Sequence, residues 1–220
     1  MSNADPHWHF TNGATLRVGT LYCIGRNYAE HAKEMNAEVP ADPIVFLKPP
    51  TAYRKSGSVV SLPSWTKNVH HEVECVVVVG ADADQVSEEH AWDLVAGIAV
   101  GLDLTARDIQ TEAKRLGSPW AVAKAWSGSA PVSNVVPLET AGHGPWQLQC
   151  SVNGSVTQND TTNNMERSVP QLIRFIANVF GLRAGDAIFT GTPAGVGPVS
   201  AGDVVQCSLS SIAELTVRFA

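Results

Sequence analysis

Residues 70–82 read HHEVECVVVVGAD, and the reading of this stretch decides the fold. Val73 and the run from Val76 to Val79 are β-branched and stop at Gly80, the composition of a buried strand closed by a turn. Two carboxylates stand at its entrance. Side chains alternate along a strand, so Glu72 and Glu74 share a face, roughly 6.5–7 Å apart along the chain. Two like charges on a face bound for the core repel each other, and burial sharpens the conflict. Either one is protonated, or a cation lies between them, or the strand end is solvated at the surface.

Outward from this strand, similar short apolar runs occur at 21–24, 44–47, 97–102, 148–152, 187–190, 204–209 and 215–219. Asn153-Gly154 marks a hairpin, because a two-residue turn needs positive φ at both positions. Ala-Gly-Asp occurs at 184–186 and at 201–203, each time as a turn feeding a strand. Three helices interrupt the strands. The first starts near Asn27, with Glu30 completing a capping box, and ends before Pro40. The second starts near Thr105, with Asp108 at its third position, and stops at Gly117. The third follows Ser168, with Val169, Leu172, Ile173, Ile176 and Phe180 as an apolar face, and is capped by Gly181. A weaker helical pattern covers 87–95. Strands that outnumber helices without strict alternation predict a strand-dominated α+β fold, not a doubly wound sheet. Residues 1–220 read as a single domain, with the first 60 or so, richer in Pro and Gly, as a candidate small N-terminal lobe.

Composition narrows the function. With 44% hydrophobic residues the chain can bury a large core, while a net charge of −6 argues against a nucleic-acid partner. Lys48, Lys55 and Lys67 are scattered rather than clustered. Cys23, Cys75, Cys150 and Cys207 make no C-x-x-C pair, which disfavours a zinc ribbon or redox motif. The first residues have no signal-peptide pattern and no apolar run reaches the ~20 residues of a membrane span, so a cytoplasmic location without a membrane partner is expected.

In GIAVGLDLTARD (97–108), Asp103 ends another apolar run directly before a helix. If the two strands are neighbours, Glu72, Glu74 and Asp103 converge into an all-oxygen set suited to Mg²⁺, Mn²⁺ or Ca²⁺. His70 shares the face of Glu72 and Glu74, which keeps zinc open; His71 points the other way and reads as a core histidine. His31 and Glu34 are three apart on the first helix, either a solvated ion pair or an imidazole oriented by a carboxylate. Arg107 and Gln110 have the same spacing on the second helix, where Arg can hold a carboxylate in bidentate fashion or simply face solvent. Lys124 in AVAKAW either snorkels outward or serves as a buried donor to an anion. TGTPAGVGP (190–198) is a tight turn or an anion-binding loop that includes Thr192. It lacks the ending of a nucleotide P-loop, and WSGSA (126–130) is not the serine-hydrolase elbow.

Together the stretches GRNYAEHAKEM (25–35), FLKPPTAY (46–53), HHEVE (70–74), GLDLTARDIQ (101–110), PWAVAKAW (119–126), VNG (152–154) and TGTPAGVGP (190–198) resemble the fumarylacetoacetate hydrolase family, in its short single-domain acylpyruvase and oxaloacetate-processing branch. The resemblance implies a mixed β-roll, a homodimer and a divalent-metal enzyme acting on 2-oxo acids. It places the metal on Glu72, Glu74 and Asp103, a catalytic pair on His31 and Glu34, and substrate contacts on Arg107, Gln110, Lys124 and Thr192, with Lys124 stabilising developing charge. The expected activity is hydrolysis of the C–C bond of an acylpyruvate, or decarboxylation or tautomerisation of oxaloacetate, through a metal-stabilised enolate with Mg²⁺ or Mn²⁺ as cofactor. The alternatives are a dienoate isomerase or hydratase, a fumarylpyruvate hydrolase of aromatic catabolism, and a non-catalytic metal- or metabolite-binding protein.

Overall fold

A computed structural model describes residues 5–220. Its frame is a mixed eight-stranded sheet. Across it run Ile44–Lys48, Leu21–Gly25, Ala187–Phe189, Val73–Val79, Val95–Leu102, Ala130–Val132 and Tyr53–Lys55, with Val136–Pro137 as a further partner of Val95–Leu102. Ala187–Phe189 is parallel to Leu21–Gly25, and Ala130–Val132 to Tyr53–Lys55; the other neighbours are antiparallel. A second sheet holds Ser155–Thr161, Gln147–Val152, Val204–Leu209, Ala213–Phe219 and Val59–Val60. The fold is strand-dominated α+β, as the pattern of short apolar runs predicts.

All seven residues of Val73–Val79 are buried, and the reason is the strand's place between two cores. Val73, Cys75, Val77 and Val79 face a core with Ile98, Val100, Leu148, Val205 and Leu215, closed by Leu172, Ile173 and Ile176 of the helix Val169–Phe180. Val76 and Val78 face a second core with Leu21, Ala187, Phe189 and Trp8. Each such side chain contributes about 1.5–3 kcal/mol when fully buried. A strand buried on both faces needs no polar alternation, so the glutamates at its entrance are the exception that needs a cause.

The turns follow their chemistry. Asn153 and Gly154 take φ of 51° and 83° in the hairpin joining Gln147–Val152 to Ser155–Thr161. In both Ala-Gly-Asp turns the aspartate accepts a backbone N–H three residues back, Asp186 from Arg183 at 2.9 Å and Asp203 from Ser200 at 2.7 Å.

The helices depart from expectation in instructive ways. The first is only Ala29–Glu34, and Asn27 does not cap it. The Asn27 amide instead donates to the carbonyls of Thr190 (2.8 Å) and Arg167 (3.0 Å), and its oxygen accepts the Arg167 N–H. The helix ends at Met35 and the chain turns at Asn36, with φ of 50°. The second helix is Arg107–Leu116, two residues later than expected, because Thr105–Ala106 pairs as a strand with Val69–His71. Asp108 therefore sits at its second position and accepts the Thr66 hydroxyl at 2.5 Å and the Lys67 N–H at 2.9 Å. The third helix has its capping box, Gln171 accepting the Ser168 N–H at 2.9 Å. Over 87–95 there is only the 3₁₀ turn Ala91–Leu94.

Candidate active site

Strand register assembles the site. Val73 pairs with Leu102 and Glu74 with Gly101, while the Asp103 N–H donates to the Glu72 carbonyl at 2.9 Å. Asp103 therefore lies across from Glu72 and beside Glu74. One carboxylate oxygen from each of the three falls within 4.8 Å of the others, and all three residues are buried. Gly101 makes the register tolerable: a Cβ there would stand 2.7 Å from Val76 Cγ2 and 2.9 Å from Phe189 Cε1.

Three cations answer the three anions, but unevenly. Lys124 Nζ is 2.8 Å from Glu72 Oε2 and 2.6 Å from Asp103 Oδ2. Arg107 pairs with Glu72 Oε1. Lys48, wholly buried, lies 2.8 Å from Asp103 Oδ1, yet its ammonium donates to the carbonyls of Leu104, Ser129 and Lys124 and to the Ser129 hydroxyl. Asp103 Oδ1 is buried and has that Lys48 ammonium as its one polar partner, at an angle that makes no regular hydrogen bond. Glu74 is paired with no cation among the described residues; its one contact is the Gly191 N–H at 2.7 Å. Burial, with Asp103 and Glu72 beside it, pushes the Glu74 carboxyl well above its usual range. Burial acts the same way on Glu72, but Lys124 and Arg107 outweigh it and hold that carboxyl well below. Burial would lower Lys124, and the two acids it touches raise it instead.

These observations test the fit of a divalent metal. Three converging buried carboxylates, one of them a glutamate with no paired cation among the described residues, are the groups a hard cation satisfies. The donors are all oxygen. His70 is not among the converging donors: its Nδ1 lies 3.5 Å from Arg107 Nε, and burial and Arg107 lower its pKa to about 4. The set suits Mg²⁺ or Mn²⁺ better than zinc.

The other expected residues surround this centre. His31, Arg107, Gln110, Lys124 and Thr192 line one cleft with the three acids. His31 Nδ1 is 3.0 Å from Glu34 Oε2, and Glu34 Oε1 accepts the Gly195 N–H at 3.1 Å, tying the short helix to the glycine loop. Gly195 has φ of 96°, and a Cβ there would fall 2.0 Å from the Thr157 carbonyl, so the loop admits only glycine at this point. Arg107 is less free than a solvated helix residue: besides Glu72 it donates to Gln110 Oε1 at 2.6 Å. His71 is a core residue, 3.0 Å from Gln158 Oε1.

Three contributors escape a reading of the sequence. Lys48 looks like one of several scattered lysines, although its place in IVFLK, at the end of an apolar strand, was a usable signal. Asn27 resembles a helix cap and is instead the clamp joining three segments. Gln158 has no local signal: it accepts the Val73 N–H at 3.0 Å and donates to Thr192 Oγ1 and the Pro193 carbonyl at 2.8 Å each.

A buried all-oxygen cation pocket with an oriented histidine beside it, at the end of a β-roll, has the makings of a divalent-metal enzyme centre. The chain belongs to the fumarylacetoacetate hydrolase family, whose model for the fumarylacetoacetate (FAA) hydrolase C-terminal domain matches residues 20–220. It is 44% identical over 201 residues to "Oxaloacetate tautomerase FAHD1, mitochondrial" from Bos taurus, covering 90% of each chain. It is 42% identical over 215 residues to "Oxaloacetate tautomerase YcgM" from Escherichia coli, covering 96% of this chain and 94% of the relative. Among solved structures it is similar to fumarylpyruvate hydrolase from Pseudomonas aeruginosa in complex with Mn²⁺ and pyruvate, with a TM-score of 0.95, 34% identity, and coverage of 100% and 97% of the two chains. Among the described residues no helix is long and apolar enough to cross a membrane.

Proposed function

We propose that this protein is a divalent-metal-dependent enzyme of 2-oxo acids that carry a second carbonyl group at C4, with keto–enol tautomerisation or decarboxylation of oxaloacetate as its main chemistry. The carrying observation is the buried convergence of Glu72, Glu74 and Asp103, with no cation paired to Glu74 among the described residues. The two relatives above, both named oxaloacetate tautomerases, support the choice of substrate.

Glu72, Glu74 and Asp103 would hold the metal. Bound there, Mg²⁺ or Mn²⁺ supplies a Lewis acid for the carboxylate and 2-oxo oxygen of the substrate. Glu34 fixes the proton of His31 on Nδ1 and leaves Nε2 as a base to move a proton at C3. Lys124, held between Glu72 and Asp103, faces the negative charge that develops on the oxygen. Thr192, positioned by Gln158, and Gln110, positioned by Arg107, orient the substrate.

A second reading, C–C hydrolysis of an acylpyruvate, is favoured by the likeness to the fumarylpyruvate hydrolase. There the same His31 Nε2 activates water for attack on the 4-carbonyl. Proton NMR of Mg²⁺-treated protein with oxaloacetate and with acetylpyruvate, each against a Mg²⁺-only control, tests both. Enol–keto exchange or pyruvate from oxaloacetate supports the first reading; acetate plus pyruvate from acetylpyruvate supports the second. No turnover of either, or activity unchanged in Asp103→Asn, overturns the assignment.

A further inference from the structure

We infer that Arg26 and Lys114 form a second anion site at the mouth of the cleft, which reads the far carboxylate of a dicarboxylate substrate and so selects it over acylpyruvates with apolar tails. This rests on the proposed 2-oxo acid chemistry and specifies its substrate class.

The cleft is graded. Its floor is Glu72, Glu74, Asp103 and Lys124, all at most 4% exposed, and Arg107 and Gln110 follow at 8% and 3%. Arg26, half-buried, and Lys114, exposed, complete the lining on the solvent side. At the floor the acids and the cations Lys48, Lys124 and Arg107 balance three against three. At the rim there is no such balance. Neither Arg26 nor Lys114 has an ion-pair partner within 4.0 Å among the described residues; the one polar contact of the Arg26 guanidinium is a long 3.4 Å donation to the Glu38 carbonyl. A loaded metal site therefore adds positive charge to a cleft whose mouth already carries an excess of it. A monocarboxylate leaves that excess standing, whereas a dicarboxylate places one anionic end at each location.

Two further features place these cations deliberately. Arg26 has φ of 60°, a left-handed conformation that glycine or asparagine adopts with less strain, yet the chain keeps a long cationic side chain there. Lys114 Nζ sits 5.3 Å from the centre of the Trp120 ring, itself a cleft residue, which holds the ammonium at the rim instead of leaving it to roam in solvent. Partial burial of the side chain first, and then Arg107 and Arg26, lower the Lys114 pKa to about 8.

The test compares Arg26→Gln, Lys114→Met and the double variant with wild type, all Mn²⁺-loaded, on oxaloacetate and on acetylpyruvate. Circular dichroism checks that each variant is folded. A lost charged hydrogen bond corresponds to roughly a tenfold change. Each single variant should raise KM for oxaloacetate about tenfold with kcat within about twofold, and KM for acetylpyruvate should stay within about twofold. Added NaCl should raise the wild-type KM for oxaloacetate more than that for acetylpyruvate, and the double variant should lose this difference. Equal shifts for both substrates, no shift, or a wild type active on acetylpyruvate alone would overturn the subsite while leaving the metal chemistry intact. A wild type that turns over neither substrate removes the functional reading itself, and the subsite with it.

Discussion

Replacing Lys48 by Met isolates the electrostatic argument. Met keeps most of the length of the stem, so the packing change is small. What is lost is a buried ammonium beside Asp103 Oδ1, with its donations to three backbone carbonyls and the Ser129 hydroxyl. Removing one member of a buried ion pair typically costs about 3–5 kcal/mol. Lys124 still pairs with Asp103 Oδ2, which bounds the electrostatic part, but the stranded carbonyls add to it. We therefore expect a loss of roughly 3–5 kcal/mol in EDTA, a large share of the ~5–15 kcal/mol of an ordinary domain. Bound metal changes this number. Without Lys48 the floor holds three acids against two cations, so it attracts a divalent ion more strongly and the ion supplies the missing charge. Urea unfolding in 1 mM EDTA and in excess MnCl₂ should show a smaller gap between variant and wild type in manganese, with the variant binding Mn²⁺ more tightly. A loss below about 1 kcal/mol in EDTA, or the same gap in both conditions, would refute the reasoning.

Gln158→Leu leaves the buried Val73 N–H unsatisfied and releases Thr192; it should cost about 1–3 kcal/mol of stability and raise KM for the 2-oxo acid substrate, checked by urea unfolding and steady-state kinetics. Asp108→Asn should destabilise by roughly 1 kcal/mol near neutral pH, as expected for losing a carboxylate that accepts hydrogen bonds at a helix start. Burial would raise the Asp108 pKa, but the Lys67, Thr66 and Ile109 donors lower it, so its stabilisation is present above the unfolded carboxylate pKa and is lost as pH falls through the folded one. The gap between Asp108→Asn and wild type in thermal unfolding should therefore close in acid.

What could be read from the sequence divides along a physical line. The strand Val73–Val79, the Asn153-Gly154 hairpin and the Ser168–Gln171 cap are governed by residues next to one another, and local pattern reveals them. The pairing of Glu72 with Glu74 is visible for the same reason, since strand alternation is local. The place of Asp103 is a matter of register, set by which residue of Val95–Leu102 faces Val73, and no local signal carries it. Asn27 misleads because the same short amide that caps helices also bridges distant carbonyls. Lys48 is hidden because its counter-charge Asp103 and its hydrogen-bond partners lie 55 to 81 positions further on, in strands and loops that only the fold brings together. The resemblance of the motifs to a known family covers the role of His31 and Glu34, which spacing alone leaves as an ordinary surface pair.

The central claim is that Glu72, Glu74 and Asp103 jointly hold one divalent ion. Titration of metal-free protein with Mn²⁺, followed by the loss of the free-ion electron paramagnetic resonance signal, measures it without any assumption about substrate. The account predicts one Mn²⁺ per chain, and a large loss of affinity, on the order of 100-fold, in Glu74→Gln, as expected when a charged ligand of a hard cation becomes neutral. Absence of bound Mn²⁺ in the wild type, or equal affinity in Glu74→Gln, would contradict it.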